Sequence, residues 1–192
     1  MMAMFVPAFE IGIWNVWLLM SVFILQMLVI MAAGRRVMER SHIPKEVKRN
    51  RIEKYTGAIA NLVWFIALGY SIFLPLQLGT IWFYAGMIVF IIGTLLLTIA
   101  TYNFIAAASD QPIKNGVYKF SRHPMYLATS LICLGSGIAS VSIVFLTLSI
   151  IMILCFYKEA LLEEMYCLNK YGDSYKEYIS KVPRWIGIRK KD

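Results

Sequence analysis

Residues 55–109 read YTGAIANLVWFIALGYSIFLPLQLGTIWFYAGMIVFIIGTLLLTIATYNFIAAAS, a stretch of 55 residues without one Asp, Glu, Lys or Arg. A helix needs about 20 apolar residues to cross ~30 Å of hydrocarbon at ~1.5 Å per residue, so this stretch is long enough for two crossings. It breaks at Leu74-Pro75-Leu76-Gln77-Leu78-Gly79-Thr80, where Pro and Gly mark a turn. The reading is two transmembrane helices, over 56–74 and 81–100. A chain built around such a pair is a polytopic, all-α membrane protein.

The flanking sequence extends the pattern. Residues 11–34 hold no ionisable group and form another span. No Lys or Arg precedes them, which is unlike a cleaved signal peptide. Residues 123–157 are free of Lys, Arg, Asp and Glu, and predict a helical hairpin over 125–138 and 140–157 that turns near Gly135-Ser136-Gly137. These 35 residues cover only about 52 Å as helix, less than the ~60 Å that two crossings need. The hairpin must therefore borrow length from its polar flanks, placing them at the headgroup layer. Five spans result, with a helical C-terminal segment in the cytoplasm.

Composition agrees. Of 192 residues, 59% are apolar and 16% charged, with a net charge of +8; soluble chains average about 25% charged. So few charges on so apolar a chain exclude disorder and do not suit a nucleic-acid-binding domain. The 19 basic residues are confined to three segments: eight at 35–54, three at 110–122 and eight at 158–192. The N-terminal ten residues and the two outer turns hold none. By the positive-inside rule the N-terminus lies outside and the C-terminus in the cytoplasm. The segment from Arg35 to Lys54 reads as a topogenic loop that also touches anionic lipid, with a helix over Lys45–Lys54 after Pro44.

Cys133, Cys155 and Cys167 are odd in number and lack C-x-x-C spacing, and His42 and His123 are the only histidines. Neither a disulfide framework nor a metal site is expected.

Chemistry is left to two cytoplasmic segments, 110–126 and 158–190. In the first, Asn115-Gly116 marks a turn and Pro124 suits the first turn of a helix, so Arg122 and His123 sit just ahead of the fourth span. Cations there oppose the helix dipole, so they do not serve as caps; snorkelling to headgroup phosphates is the plainer role. In the second, Glu159 and Glu163 share a helix face and Glu164 points about 100° away. Three acids so close together repel one another, and pairing with Arg122 across the hairpin would relieve that. Carboxylates meeting a basic pair at membrane depth mark a functional site by default; a structural salt bridge locking the hairpin is the alternative.

The motif Gly116-x-Tyr118-x(3)-Arg122-His123-Pro124-x-Tyr126, followed by Glu163-Glu164-x(6)-Tyr171-Gly172-x-x-Tyr175-x-x-Tyr178-x(4)-Pro183-Arg184, resembles the isoprenylcysteine carboxyl methyltransferase family and its relatives, the phospholipid methyltransferases. The resemblance covers about residues 80–190. It implies an integral-membrane enzyme that uses S-adenosylmethionine, with the Arg-His-Pro segment and the Glu-Glu helix enclosing the cofactor. By position, His123, Pro124 and Tyr126 would line that site with Tyr118 and Glu164 nearby, and Arg122 and Glu163 would be the catalytic pair.

The residue chemistry suits this role on its own terms. Methyl transfer from a sulfonium is an in-line displacement in which the enzyme chiefly aligns the reactants. A carboxylate acceptor is already ionised and needs a cation to position it, which Arg122 can supply. A sulfonium favours nearby π faces or carboxylates, here Tyr118, Tyr126, Glu163 and Glu164. The expected acceptor is hydrophobic or lipid-attached, entering from the bilayer, with no nucleic acid involved. Two other readings compete: an NADPH-dependent membrane reductase, and a non-enzymatic transport or structural protein.

Overall fold

The computed structural model describes residues 9–40, 49–107 and 111–187. Within them the chain forms helices α1 (Trp17–Ala32), α2 (Arg35–Arg40), α3 (Arg51–Ser71), α4 (Ile81–Ala106), α5 (Pro124–Ala139), α6 (Ile143–Tyr171) and α7 (Asp173–Lys181), with a 3-10 turn at Gly116–Lys119 between α4 and α5. The all-α class holds, since no strand is present among the described residues. Two helices, α4 and α6, are long and apolar enough to cross a membrane, and α1 and α5 are shorter apolar helices of 16 residues each.

Local chemistry sets the ends of these helices. Asn50 caps α3: its side chain accepts from the Glu53 N–H while the Glu53 carboxylate accepts from the Asn50 N–H, a reciprocal capping box. The helix therefore starts in the charged turn at Arg51, five residues ahead of the apolar run at 56. The helix expected over Lys45–Lys54 falls partly on residues 41–48, outside the described ones. Thr80 and Ser142 cap α4 and α6 by accepting from Phe83 and Phe145. Pro124 takes the first position of α5.

Residues 11–16, expected to be helical, are instead tied to the α3–α4 connection. Asn15 and Pro75 form an isolated bridge, Val16 donates to Leu74 O, and Leu76 donates to Trp14 O. The buried Asn15 amide donates to Glu10 O and Ile72 O, a use that a regular helix would not give it.

The hairpin turn also lies elsewhere than expected. Gly135-Ser136-Gly137 is inside α5, and the chain reverses at Ser140–Ser142, where Val141 adopts φ 51°. These glycines serve packing. A Cβ on Gly135 would lie 2.6 Å from Phe90 N and 2.7 Å from Gly86 O, and one on Gly86 would collide with Ala139 N. Gly93 meets the Ala128–Ile132 turn in the same way, so α4 and α5 touch backbone to backbone along their length.

Outward faces of α4 and α6 show Ile81, Ile88, Ile92, Leu95, Ile150 and Leu154. An apolar surface this extensive suits lipid rather than water. Helix α6 continues for about four further turns beyond Tyr157, to Tyr171, carrying Glu159, Glu163 and Glu164 below the apolar section.

Candidate functional site

The site forms where the start of α5 meets the polar end of α6. The 3-10 turn before α5 is seated by Asn103 at the end of α4, whose Oδ1 accepts from Val117 N at 3.0 Å. Gly116 has φ +59°, and any Cβ there would run into the Asn103 side chain. Buried Tyr118 follows, and its carbonyl accepts from the Tyr178 hydroxyl at 2.7 Å, tying the turn to α7.

After α7 the chain doubles back over the start of α5 as a strap. Arg122 N donates to Pro183 O at 3.1 Å, and the Ser121 hydroxyl donates to Arg184 O at 3.2 Å. This return delivers Arg184 to the same carboxylate that Arg122 and His123 reach. Buried Glu164 receives Arg184 through two parallel bonds of 2.9 Å each, His123 Nε2 at 3.1 Å, and Arg122 Nη2 at 3.1 Å. His123 Nδ1 lies 3.4 Å from Glu163 Oε2. The Glu163 side chain is 40% exposed, against 8% for Glu164.

The expected relief of the acids by Arg122 therefore falls on Glu164, while Glu163 is reached through His123. Glu159 has a separate partner: Arg49 Nη1 and Nη2 bond its two oxygens at 3.0 and 3.1 Å, in a space that the missing side chain of Gly57 leaves open. Aromatic rings wall the cluster. Tyr126 stacks between His123 (5.5 Å, 10°) and Phe156 (4.9 Å, 13°), and Arg184 lies 5.5 Å over the Tyr157 ring. Trp185 sits 6.2 Å from His123. Pro124 is buried in the first turn of α5. The sequence motif contained Arg184 without giving it a role, and Arg49 read as an orientation charge. Neither signals its partner by spacing, since 20 residues separate Arg184 from Glu164 and 110 separate Arg49 from Glu159.

Among the described residues Arg122 Nε is buried without a hydrogen-bond partner, as is Ser136 Oγ within α5. Leaving an arginine N–H unsatisfied costs free energy unless something else accepts from it.

The cluster shifts its own titration. Burial would raise the Glu164 pKa, but the bonds from His123 and Arg184 and the charge of Arg122 outweigh it and hold the group at about 2. Burial would lower the His123 pKa, and the two carboxylates outweigh that as well, raising it above its ordinary 6.5. Glu164 thus contributes stability above its ordinary 4.5, lost as pH falls through about 2. His123 contributes stability below 6.5, lost as pH rises through its elevated folded value. Thermal unfolding in detergent should show a plateau between pH 4.5 and 6.5 and a decline on each side. His123→Gln should flatten the alkaline decline and leave the acid one; an unchanged alkaline limb would refute the assignment.

A family profile described as phospholipid methyltransferase matches residues 76–174, just over half of the chain. The chain belongs to the phospholipid methyltransferase family. The match takes in α4, the 3-10 turn, α5 and all of α6, and so contains Arg122, His123, Glu163 and Glu164 but neither Arg49 nor Arg184. No curated protein gives a match to the chain. Membership makes this protein a membrane methyltransferase.

Proposed function

We propose that the protein transfers a methyl group from S-adenosylmethionine to a hydrophobic or lipid-attached acceptor, at the cytoplasmic face of a membrane it crosses five times. The observation that carries this is the convergence of Arg122, His123, Glu163, Glu164 and Arg184 at one end of the apolar section, largely inside the family-matched region. Confinement of all 19 basic residues to three segments supports five crossings with the N-terminus outside.

The side chains present fit the cofactor. Arg122 Nε offers a buried N–H to its carboxylate. Tyr126, Phe156, Tyr157 and Trp185 offer faces for its purine and sulfonium, and Glu163 offers a negative charge near the latter. S-adenosylmethionine, when bound, supplies a methyl group made electrophilic by its positive sulfur. Arg122 and Arg184 fix Glu164 so that His123 and Tyr126 keep one orientation, and the stacked rings exclude water from that side. That preorganisation is how an enzyme lowers the barrier of a displacement.

Two acceptor chemistries suit these residues. A carboxylate acceptor, giving O-methyl transfer, would be positioned by Arg122. Yet Arg122 is committed to Glu164 through Nη2, its Nε is the donor assigned to the cofactor, and Glu163 repels a second carboxylate. An amine headgroup fits better, because Glu163 attracts its ammonium and can lead the departing proton to water. The geometry favours the amine.

Thermal unfolding of the full chain tests the cofactor. S-adenosylhomocysteine should stabilise it by ~2.7 kcal/mol at a hundred times its dissociation constant, and NADPH should not. A shift with NADPH alone would favour the reductase. Isotopic transfer to phosphatidylethanolamine rather than to a prenylcysteine acid then decides the acceptor. For the topology, Lys119→Cys should be labelled only from the cytoplasmic side.

A further inference from the structure

The face of α6 that carries Glu163 extends past the Glu164 cluster. One helical turn back lies Glu159, about 5–6 Å away between Cβ atoms. Arg49, just ahead of the α3 cap, bonds both Glu159 oxygens at 3.0 and 3.1 Å. Room for that guanidinium is made where α3 packs on α6: a Cβ on Gly57 would lie 2.9 Å from Arg49 Nη1 and 3.3 Å from Glu159 Oε1. Tyr126 joins the pair to the cluster. Its ring stacks on His123 and Phe156, and the charges of Glu163, Glu159 and Arg49 all reach its hydroxyl. The row therefore runs Glu163, Glu159, Arg49, with an anion at one end and a cation at the other. A basic residue that only orients the chain needs no acid seated between two helices, and a partly exposed ion pair adds little stability.

We propose that Arg49 is a specificity-determining residue that takes the phosphate of a zwitterionic phospholipid acceptor while Glu163 takes its ammonium. With an amine as the acceptor, on which this assignment rests, the two charges of the headgroup are joined by a two-carbon bridge whose reach is comparable to one helical turn. Bonding Glu159 uses two of the five N–H donors of Arg49, and the side chain is 30% exposed, so its outer edge can donate to a phosphate. Glu159 is the tether that sets the plane of the guanidinium, and its charge weakens the pull on the phosphate. Arg49 lies outside the family-matched residues 76–174, so membership alone does not supply this contact.

The test compares two acceptors for the full chain in a neutral, phosphate-free detergent. One is phosphatidylethanolamine; the other is a long-chain primary alkylamine, which has the ammonium without the phosphate. The readout is the ratio of kcat/KM for isotopic methyl transfer, phospholipid over alkylamine. A ratio is insensitive to the fraction of folded enzyme, so a folding defect cannot imitate the effect. Arg49→Gln should lower it about tenfold, the loss of one charge-assisted hydrogen-bonded contact. Glu159→Gln separates reading a phosphate from stapling α3 to α6. It breaks the same ion pair but leaves Arg49 in place with one negative charge fewer beside it, so the ratio should rise. The double variant Arg49→Gln/Glu159→Gln should keep the low ratio, since the lost contact and not an unpaired Glu159 lowers it. An unchanged ratio in Arg49→Gln, an equal fall in Glu159→Gln, or a return to the wild-type ratio in the double variant overturns the proposal and leaves amine methylation standing. Wild-type transfer to neither amine removes the amine acceptor itself, and the role of Arg49 with it.

Discussion

Glu164→Ala is expected to destabilise the protein by about 3–5 kcal/mol and to abolish methyl transfer. The carboxylate is the one anion shared by Arg122, Arg184 and His123. Removing it leaves a guanidinium of 7% exposure and a second guanidinium without that counter-charge, beside an imidazole that keeps only Glu163 at 3.4 Å. Breaking a buried pair from one side costs far more than the pair itself contributes, because the partner's desolvation is no longer offset. Two comparisons separate charge from shape. Glu164→Gln keeps the shape, so it should lose less stability than the alanine variant. Glu163→Gln, at an exposed carboxylate, should change stability by no more than about 1 kcal/mol while lowering turnover by about 100-fold, as misplacement at a reacting centre does. Equilibrium unfolding and radiolabelled methyl transfer, measured on the same preparations, check all three. An unchanged Tm for Glu164→Ala would refute the ion-pair account.

The two carboxylates could be told apart only in three dimensions. As sequence, Glu163-Glu164 is a pair of adjacent acids on one helix, and helical geometry says only that they diverge by about 100°. Which of them turns inward depends on where the strap lands, and the strap is positioned by Arg122 N to Pro183 O, a backbone bond between segments 61 residues apart. Hydropathy and punctuation carried the all-α class and the start of α5 at Pro124, because these are local signals. They failed at Gly135-Ser136-Gly137. A glycine that turns the chain and a glycine that admits a neighbouring backbone are the same letter, and only the facing helix distinguishes them. Likewise residues 11–16 are apolar enough for a helix, and what diverts them is the partner at Leu74–Leu76, far along the chain.

That same glycine yields the second large effect. Gly135→Ala adds one methyl group at 2.6 Å from Phe90 N and 2.7 Å from Gly86 O, both backbone atoms that cannot rotate away. Helices α4 and α5 must separate to admit it, at a cost of about 1–3 kcal/mol, and Gly135→Leu should cost at least about 3 kcal/mol. For a chain of this length the leucine variant should lose about 6–12 °C in Tm. Helix propensity predicts the opposite sign, since alanine favours a helix over glycine by about 1 kcal/mol. Gly69→Ala in α3, with nothing within 4 Å of its added Cβ, isolates that propensity and should hold or raise Tm. The damage from Gly135 should also reach the chemistry. Helix α5 carries His123 and Arg122 at its start, and Arg122 bonds Glu164 at 3.1 Å. A shift of α5 of about 1 Å away from its packed position misaligns that contact, and misplacement of this size can cost about 100-fold in rate. Methyl transfer measured well below the melting temperature of Gly135→Ala should therefore fall while Gly69→Ala keeps full turnover. Equal activity in the two would mean that the α4–α5 contact supports the fold without aiming the site.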